Sequence, residues 1–229
     1  MRNFYIFKKL SLFLFRVSSL TGLLIFISLI SFTAKAQVIT VTESTNQSDV
    51  NNLVNDVLLG SCVTISNITY DGRFRAAGEF GNALGPIGFQ DGVLLTTGRP
   101  NNAPGPNNAT NTSTNNSENG DSDLNQLVST NTYDATVLEF DFYPLSDTIR
   151  FNYVFASEEY PEYVNAGFND VFGFFISGPG ISGPYSNGAE NIALIPGTTT
   201  PVAIDNVNNG YSANCPATGP CTNCSYYVE

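Results

Sequence analysis

A helical pattern of apolar residues lies close to the N-terminus of the chain. These residues recur at intervals of three and four, at Val50, Leu53, Val54, Val57 and Leu58. The spacing places them on one face and predicts an amphipathic helix of about three turns. Ser48 and Asp49 are residue types that cap a helix N-terminus, and Gly60 is suited to end the helix.

Period-two patterns predominate after Gly60 and predict β-strands. In residues 136–143, Leu138, Phe140 and Phe142 alternate with Glu139 and Asp141, so one face is buried and the other is acidic. We predict further strands at residues 37–45, 62–70, 87–97, 148–156, 171–176, 192–195 and 202–204. The almost continuously apolar run at 171–176 is typical of a central strand. These patterns predict an all-β fold, an antiparallel, jelly-roll-like β-sandwich with one short N-terminal amphipathic helix.

Residues 100–123 interrupt the strand pattern. Asn, Thr, Ser, Gly and Pro dominate this stretch, which offers little apolar surface to bury. We therefore expect an exposed, low-complexity loop. Because it lies inside the strand pattern, we expect residues 37–229 to form one domain. Asp121 and Asp123 have the alternating spacing of metal-binding loops, although two carboxylates at this spacing are common by chance.

Residues 1–36 have the pattern of a secretory signal peptide. An uncharged apolar run at residues 17–32 follows four positive charges, at Arg2, Lys8, Lys9 and Arg16. Ala34-Lys35-Ala36 then matches the small-x-small site of a signal peptidase. The apolar run is slightly short for a membrane span of about 20 residues. We therefore expect cleavage before Gln37 and a secreted or cell-surface protein without a membrane span.

Removal of the signal peptide changes the charge of the chain. All 20 acidic residues but only four of the nine basic residues follow residue 36, so the mature chain has a net charge of −16. Such a surface repels nucleic acids and anionic membranes, which excludes both as partners. It attracts cations, and Ca²⁺ prefers oxygen ligands; the alternative is an acidic surface kept for solubility. The chain has no His, which excludes Ser-His-Asp triads and the usual zinc ligand sets.

The cysteines all lie in the mature chain, at Cys62, Cys215, Cys221 and Cys224. Outside the cytoplasm we expect them to be oxidised, and the sequence leaves all three pairings open. A redox Cys-x-x-Cys usually begins a helix, whereas the segment after Cys224 has the pattern of a strand. We therefore predict a structural disulfide in the C-terminal cluster.

A distinctive stretch of the chain lies at residues 157–180 and has the sequence SEEYPEYVNAGFNDVFGFFISGPG. It follows LEFDF at 138–142 and FNYVFAS at 151–157. Further motifs are GSCVTISN at 60–67, GDSDL at 120–124 and NCSYY at 223–227. Together these motifs resemble the choice-of-anchor L domain family, and the resemblance covers nearly all of the mature chain.

The resemblance implies an exported bacterial surface protein. In Gram-negative gliding species, domains of this family commonly accompany type IX secretion sorting domains. The family's domain normally continues for several strands beyond the Tyr-Tyr-Val motif at 226–228. We therefore expect the chain, which ends at Glu229, to be truncated at its C-terminus.

Several carboxylates lie between the strands predicted at 148–156 and 171–176. Glu158, Glu159 and Asp170 stand here without a Lys anywhere in the mature chain, so they repel one another unless something neutralises them. We predict that these three residues contribute oxygens to a Ca²⁺ site. The alternative is a solvated acidic loop, and the spacing of an EF-hand is absent from the sequence.

Catalysis by carboxylates is the remaining enzymatic possibility. Glu158 and Glu159 are adjacent and point to opposite faces of an extended chain, so they cannot flank one glycosidic bond. Glu139 and Glu158 come from separate segments and could, but nothing in the sequence sets their separation. We therefore predict a non-catalytic surface module for adhesion, matrix building or domain presentation, with a surface or matrix ligand such as a glycan. The alternatives are a carbohydrate-active domain, which binds or hydrolyses glycans, and a structural spacer.

Overall fold

Short strands are the main regular structure in the computed structural model, which describes residues 38–58, 63–106, 109, 112, 114–158, 160, 162–210 and 221–228. The predicted signal peptide lies outside these residues. The strands are β1 (Thr40–Glu43), β2 (Val63–Asp71), β3 (Ala77–Gly81), β4 (Asp91–Leu95), β5 (Val137–Pro144), β6 (Val171–Phe172), β7 (Phe175–Ile176), β8 (Glu190–Asn191) and β9 (Val202–Ala203). The α-helices are α1 (Gln47–Asn52), α2 (Leu84–Ile87) and α3 (Ser122–Val128). Single-turn 3₁₀ helices lie at Phe74–Ala76, Pro100–Asn102, Ser186–Gly188 and Cys224–Tyr226.

The predicted amphipathic helix is present as α1 and a π-helical segment, Leu53–Leu58, that follows it. Val50, Leu53 and Val54 are buried, and the other two residues of the predicted apolar face are half-buried. The predicted cap was wrong by two residues. The N-cap is Asn46, whose side-chain oxygen accepts from the N–H groups of both residues predicted as caps, at 2.8 and 3.2 Å. The predicted end at Gly60 lies outside the described residues.

The first sheet has the antiparallel order β1-β3-β4, with β3 in the centre. The strand predicted at 87–97 is shorter than expected, because β4 begins only at Asp91 and α2 precedes it. The turn-like pair Asp91-Gly92 opens β4. Gly92 pairs with Phe80, and a Cβ at Gly92 would lie only 2.8 Å from the Phe80 ring. The glycine therefore makes room for the aromatic ring across the strands.

The second sheet is the antiparallel pair β2-β5. The alternation predicted for β5 is confirmed, because Glu139 and Asp141 are exposed, but the apolar face of Leu138, Phe140 and Phe142 is half-buried and not buried as predicted. A register shift interrupts β2 next to Asn67, which has a φ of 54°. The Asn67 side chain donates to Asp141 Oδ2 at 2.6 Å, so the bulge brings an amide to the acidic face.

The strand predicted at residues 148–156 was wrong, since this described segment forms no ladder with another strand. Its aromatic alternation produces ring contacts instead. Phe151 packs against Phe174 and Tyr153 against Phe172, with centroid distances of 4.6 and 4.9 Å. Aromatic packing of this kind holds the segment against its neighbours without backbone pairing.

The central strand predicted at 171–176 is divided into β6 and β7, which pair with β9 and β8 respectively. Between them, Phe174 N–H donates to Asn191 Oδ1 at 2.9 Å, so a side chain takes the place of a ladder carbonyl. A Cβ at Gly173 would lie 2.5 Å from the Phe175 ring, which explains the glycine at this break. The two halves of the apolar run therefore join different partners.

The segment predicted as an exposed loop at 100–123 is not exposed throughout. Asn116 is only 3% exposed. The end of the segment begins α3, whose N-cap is Asp121, accepting from the N–H groups of Asp123 and Leu124 at 2.9 Å each. Asp121 therefore acts as a helix cap, and Asp123 lies in the first turn of α3.

The described residues form four small antiparallel sheets with few helices. This agrees with the predicted all-β class, whereas the sandwich and its jelly-roll form stay a prediction. Two short strands were predicted near the C-terminus. The one at 202–204 is present as β9, whereas the one at 192–195 is displaced, because β8 ends at Asn191. Among the described helices, none has the length and hydropathy needed to span a bilayer.

The core of the described residues is apolar. Its fully buried side chains include Val50, Val54, Val164, Ile195 and Ile204.

Candidate functional site

The acidic loop, residues 157–170, leads directly into β6. Glu158 and Asp170 lie near its two ends and are close enough to interact. Burial raises the pKa of the Glu158 carboxyl, and the negative charge of Asp170 raises it further. Ser157 Oγ donates to Asp170 Oδ2 at 2.7 Å. The fold thus brings together two of the three residues predicted to bind Ca²⁺; Glu159 lies outside the described residues.

A further carboxylate, Asp205, contacts the acidic loop. It lies just after β9, the strand that pairs with β6. Asp205 Oδ1 accepts from Asn165 N–H at 2.6 Å, and Asp205 N–H donates to Asn169 Oδ1 at 3.1 Å. The pairing of β6 with β9 causes this approach, because Asp205 follows β9 closely. Sequence reasoning missed Asp205, since its only signal is the position after a short predicted strand.

Tyr160 of the acidic loop lies in the same negatively charged environment. The Tyr160 ring meets Tyr227 edge-on, with centroids 5.1 Å apart. Burial raises the pKa of the Tyr160 hydroxyl, and Tyr227, Asp170 and Asp205 raise it further. Glu162 Oε2 is buried, and it has no hydrogen-bond partner among the residues that the structure describes. The loop is therefore a place where further negative charge is unfavourable and a cation would be favourable.

The chemistry of the acidic loop is that of oxygen donors. Carboxylates and side-chain amides are the ligands that Ca²⁺ prefers. Among the residues that the structure describes, no group of three or more His, Cys, Asp or Glu side chains is arranged to hold a metal ion. The predicted set includes Glu159, which is not among those residues. The Ca²⁺ site therefore stays a prediction.

A disulfide joins Cys221 to Cys224, with Cα atoms 5.5 Å apart, which is within the ordinary range. It confirms that the C-terminal cluster contains a disulfide. Cys62 and Cys215 lie outside the described residues. The segment after the disulfide forms a 3₁₀ turn, Cys224–Tyr226, instead of the predicted strand.

Small antiparallel sheets and an acidic, oxygen-rich loop define a β-rich domain. A model of the family described as Choice-of-anchor L domain matches residues 40–229. The chain therefore belongs to the choice-of-anchor L domain family, which confirms the resemblance of its motifs. Membership indicates a surface-associated protein, and the family is not a known enzyme family. Neither a curated protein nor a solved structure matches the chain at a significant level.

Proposed function

We propose that the mature chain is a non-catalytic, secreted cell-surface module that serves in adhesion, matrix building or the presentation of other domains. The match of residues 40–229 to the choice-of-anchor L domain carries this proposal. The signal-peptide pattern of residues 1–36 supports it, because a protein that acts at the surface must first be exported. The disulfide between Cys221 and Cys224 also suits an oxidising compartment.

Export can be tested with the full chain expressed from its own first codon in a Gram-negative host. We expect the protein of the envelope and medium fractions to begin at Gln37, as measured by mass spectrometry of its N-terminal peptide. The matched control is Ala36→Asp, which removes the small residue that signal peptidase requires. This variant should keep Met1. A wild-type envelope fraction that keeps Met1, or wild-type protein found only in the cytoplasm, contradicts the proposal.

A carbohydrate-active domain is the second candidate. Its support is the raised pKa of the Glu158 carboxyl, because a general acid of a glycosidase needs such a shift. A glycan array combined with turnover assays on polysaccharides separates the candidates. Binding without turnover supports a surface module that recognises glycans. Hydrolysis that is lost in Glu158→Gln or Glu139→Gln contradicts a non-catalytic role.

We further propose that Ca²⁺ stabilises the acidic loop through Glu158, Glu159 and Asp170. The mutual repulsion of Glu158 and Asp170 supports this, because a cation between two carboxylates removes the repulsion. Asp205 is a candidate for a further ligand, since it contacts Asn165 and Asn169 of the same loop. Such an ion would connect the acidic loop with the segment that follows β9.

A further inference from the structure

An open cleft with a volume of about 480 Å³ lies where β1 ends, beside the 3₁₀ helix Phe74–Ala76. Its volume falls within the range of small-molecule sites. Five of its lining residues are polar and one is aromatic; they are Glu43, Ser44, Thr45, Arg73, Phe74 and Arg75. None of them belongs to the acidic loop, so the cleft is a separate feature of the molecule.

The positive charges of the mature chain are concentrated at this cleft. Only four basic residues follow residue 36, and all are arginines: Arg73, Arg75, Arg99 and Arg150. Arg73 and Arg75 line the cleft, and Arg99 bonds to Glu43, which also lines it. In a chain whose net charge after residue 36 is −16, an anion meets less repulsion beside these arginines than on a surface that has only carboxylates.

Asn116 fixes the two arginines that line the cleft. It is 3% exposed, and its side-chain amide donates to the carbonyls of Thr97 and Gly98 at 2.9 and 2.7 Å. Its Oδ1 accepts from Arg75 Nε at 3.1 Å, and its backbone carbonyl accepts from Arg73 Nε at 3.3 Å. Asn116 therefore contacts both guanidinium groups, and such contacts reduce the entropy lost when a ligand binds.

The protein holds these guanidinium groups through Nε and leaves their terminal nitrogens for a ligand. The remaining contact of Arg73 is an ion pair through Nε, which lies 2.6 Å from Glu118 Oε1 and neutralises the charge of Arg73. Arg75 forms no ion pair with a described residue, so it carries the unpaired positive charge of the cleft. Among the described residues, none accepts a hydrogen bond from the Nη groups of Arg73 or Arg75, and both side chains are exposed. Two terminal N–H groups of a guanidinium match the two oxygens of a carboxylate.

The one acidic residue that lines the cleft does not compete for these groups. Glu43 accepts from Arg99 Nε at 3.0 Å and from Arg99 Nη2 through its other oxygen. It also accepts from Asn101 N–H at 3.4 Å, and its side chain is only 12% exposed. Its charge is therefore neutralised by Arg99.

We propose that this cleft binds the carboxylate of a single uronic acid within an otherwise neutral glycan. The Arg75 guanidinium holds the carboxylate, the terminal N–H groups of Arg73 can add hydrogen bonds to it, and the polar lining suits a ligand rich in hydroxyl groups. Phe74, which stacks on Tyr70 with centroids 5.6 Å apart, offers an aromatic face to the C–H groups of a sugar ring. A polyanionic chain is disfavoured, because the net charge of the domain repels its other carboxylates. The proposal rests on the proposed surface function, because a protein at the cell surface has access to such glycans.

The test compares a soluble oligosaccharide that carries one glucuronic acid with its carboxyl-reduced form, by isothermal titration calorimetry on the exported mature chain. We expect the acid to bind about tenfold or more tightly than the reduced form, since a hydrogen-bonded charge pair is lost on reduction. Equal affinity for the two forms overturns the proposal. Tighter binding of a peptide with one carboxylate than of the acidic oligosaccharide overturns the assignment to a glycan.

Three variants locate the binding. Arg75→Gln should remove most of the preference for the acid, and Arg75→Lys should restore little of it, because a point charge does not replace the planar fork. Arg150→Gln is the matched control, since it removes the same charge from an exposed position outside the cleft. Equal losses in Arg75→Gln and Arg150→Gln overturn the proposal. The comparison of the two oligosaccharides uses the wild-type chain, so it remains valid even if an Arg75 variant misfolds. Equal binding of the two oligosaccharides would contradict only the cleft proposal, because the export test measures a different property.

Discussion

The folded structure disfavours the ionised form of Glu158, because burial and the charge of Asp170 raise the pKa of its carboxyl. Between the ordinary glutamate pKa of about 4.3 and this raised value, the folded chain binds more protons than the unfolded chain. The free energy of unfolding therefore falls as pH rises through this window. We predict that Glu158→Gln raises the melting temperature at neutral pH and that the gain shrinks as the pH is lowered through the window. Thermal melts across this range in EDTA measure the effect.

Glu79→Gln is the matched control for this titration. Glu79 is exposed on β3, so the variant reports the effect of one less negative charge without the environment of the acidic loop. If Glu158→Gln and Glu79→Gln change the melting temperature equally at every pH, the interaction of Glu158 with Asp170 does not influence stability.

The sequence indicates which residue types accept hydrogen bonds but not which donors they meet. Asp121 and Asp123 have the spacing of a metal-binding loop, yet Asp121 caps α3. Asp123 accepts from Ser186 N–H, with both oxygens at 3.2 and 3.1 Å, across 63 positions of the chain. Contacts of this range depend on tertiary packing, which has no local signal. The same limit concealed Asn116, whose role depends on Arg73 and Arg75.

At the scale of elements, the cap of α1 is a local interaction with a measurable contribution. Asn46 satisfies two N–H groups at the start of α1, which buries Val50 and continues into the π-helical segment that buries Val54. We predict that Asn46→Ala lowers the free energy of unfolding by about 0.5 to 2 kcal/mol. Chemical denaturation, followed by circular dichroism, measures the change.

The control for the cap is Asn52→Ala, an exposed position within α1. Alanine has a higher helix propensity than asparagine, so this variant should leave stability unchanged or slightly raised. A loss in Asn52→Ala as large as that in Asn46→Ala would show that the helix, and not its cap, is sensitive to the substitution.

The α1 helix and β5 were predicted correctly from their regular patterns, whereas elements that depend on tertiary partners were not. The α1 helix and β5 each have one face that is apolar and one that is polar, so periodicity alone identifies them. The apolar run at 171–176 has no polar face that would show where one strand ends. It divides where Phe174 N–H donates to the side chain of Asn191, a residue outside the run. The segment at 148–156 has the alternation of a strand, but its rings pack where a strand would pair.

For the whole molecule, the β-rich fold class could be predicted from the sequence, but the pairing of the strands could not. Repeated short apolar segments separated by turns indicate a β-rich domain whatever their partners are. The antiparallel pairing of β6 with β9 joins segments about thirty residues apart, and no local pattern specifies it. This pairing brings Asp205 to the acidic loop, so the candidate site could be predicted from residues 157–170 only in part.

The proposed Ca²⁺ site is a property of the whole molecule, because it would join the acidic loop to the segment after β9. A ligand that binds only the folded state at a hundred times its dissociation constant stabilises that state by about 2.7 kcal/mol. For a domain of this size, we predict that millimolar Ca²⁺ raises the melting temperature by about 5 to 10 °C relative to EDTA. Differential scanning calorimetry of the exported chain measures the shift.

Glu158→Gln and Asp170→Asn should each abolish the shift caused by Ca²⁺. In EDTA both variants should melt at the wild-type temperature or above it, because each removes one of two repelling charges. Glu79→Gln, on the exposed face of β3, should keep the full shift. If Mg²⁺ or sodium chloride at equal ionic strength gives the same shift as Ca²⁺, the effect is general screening of an acidic domain. In that case the carboxylates of residues 157–170 serve the folded state by accepting hydrogen bonds, as Asp170 does from Ser157.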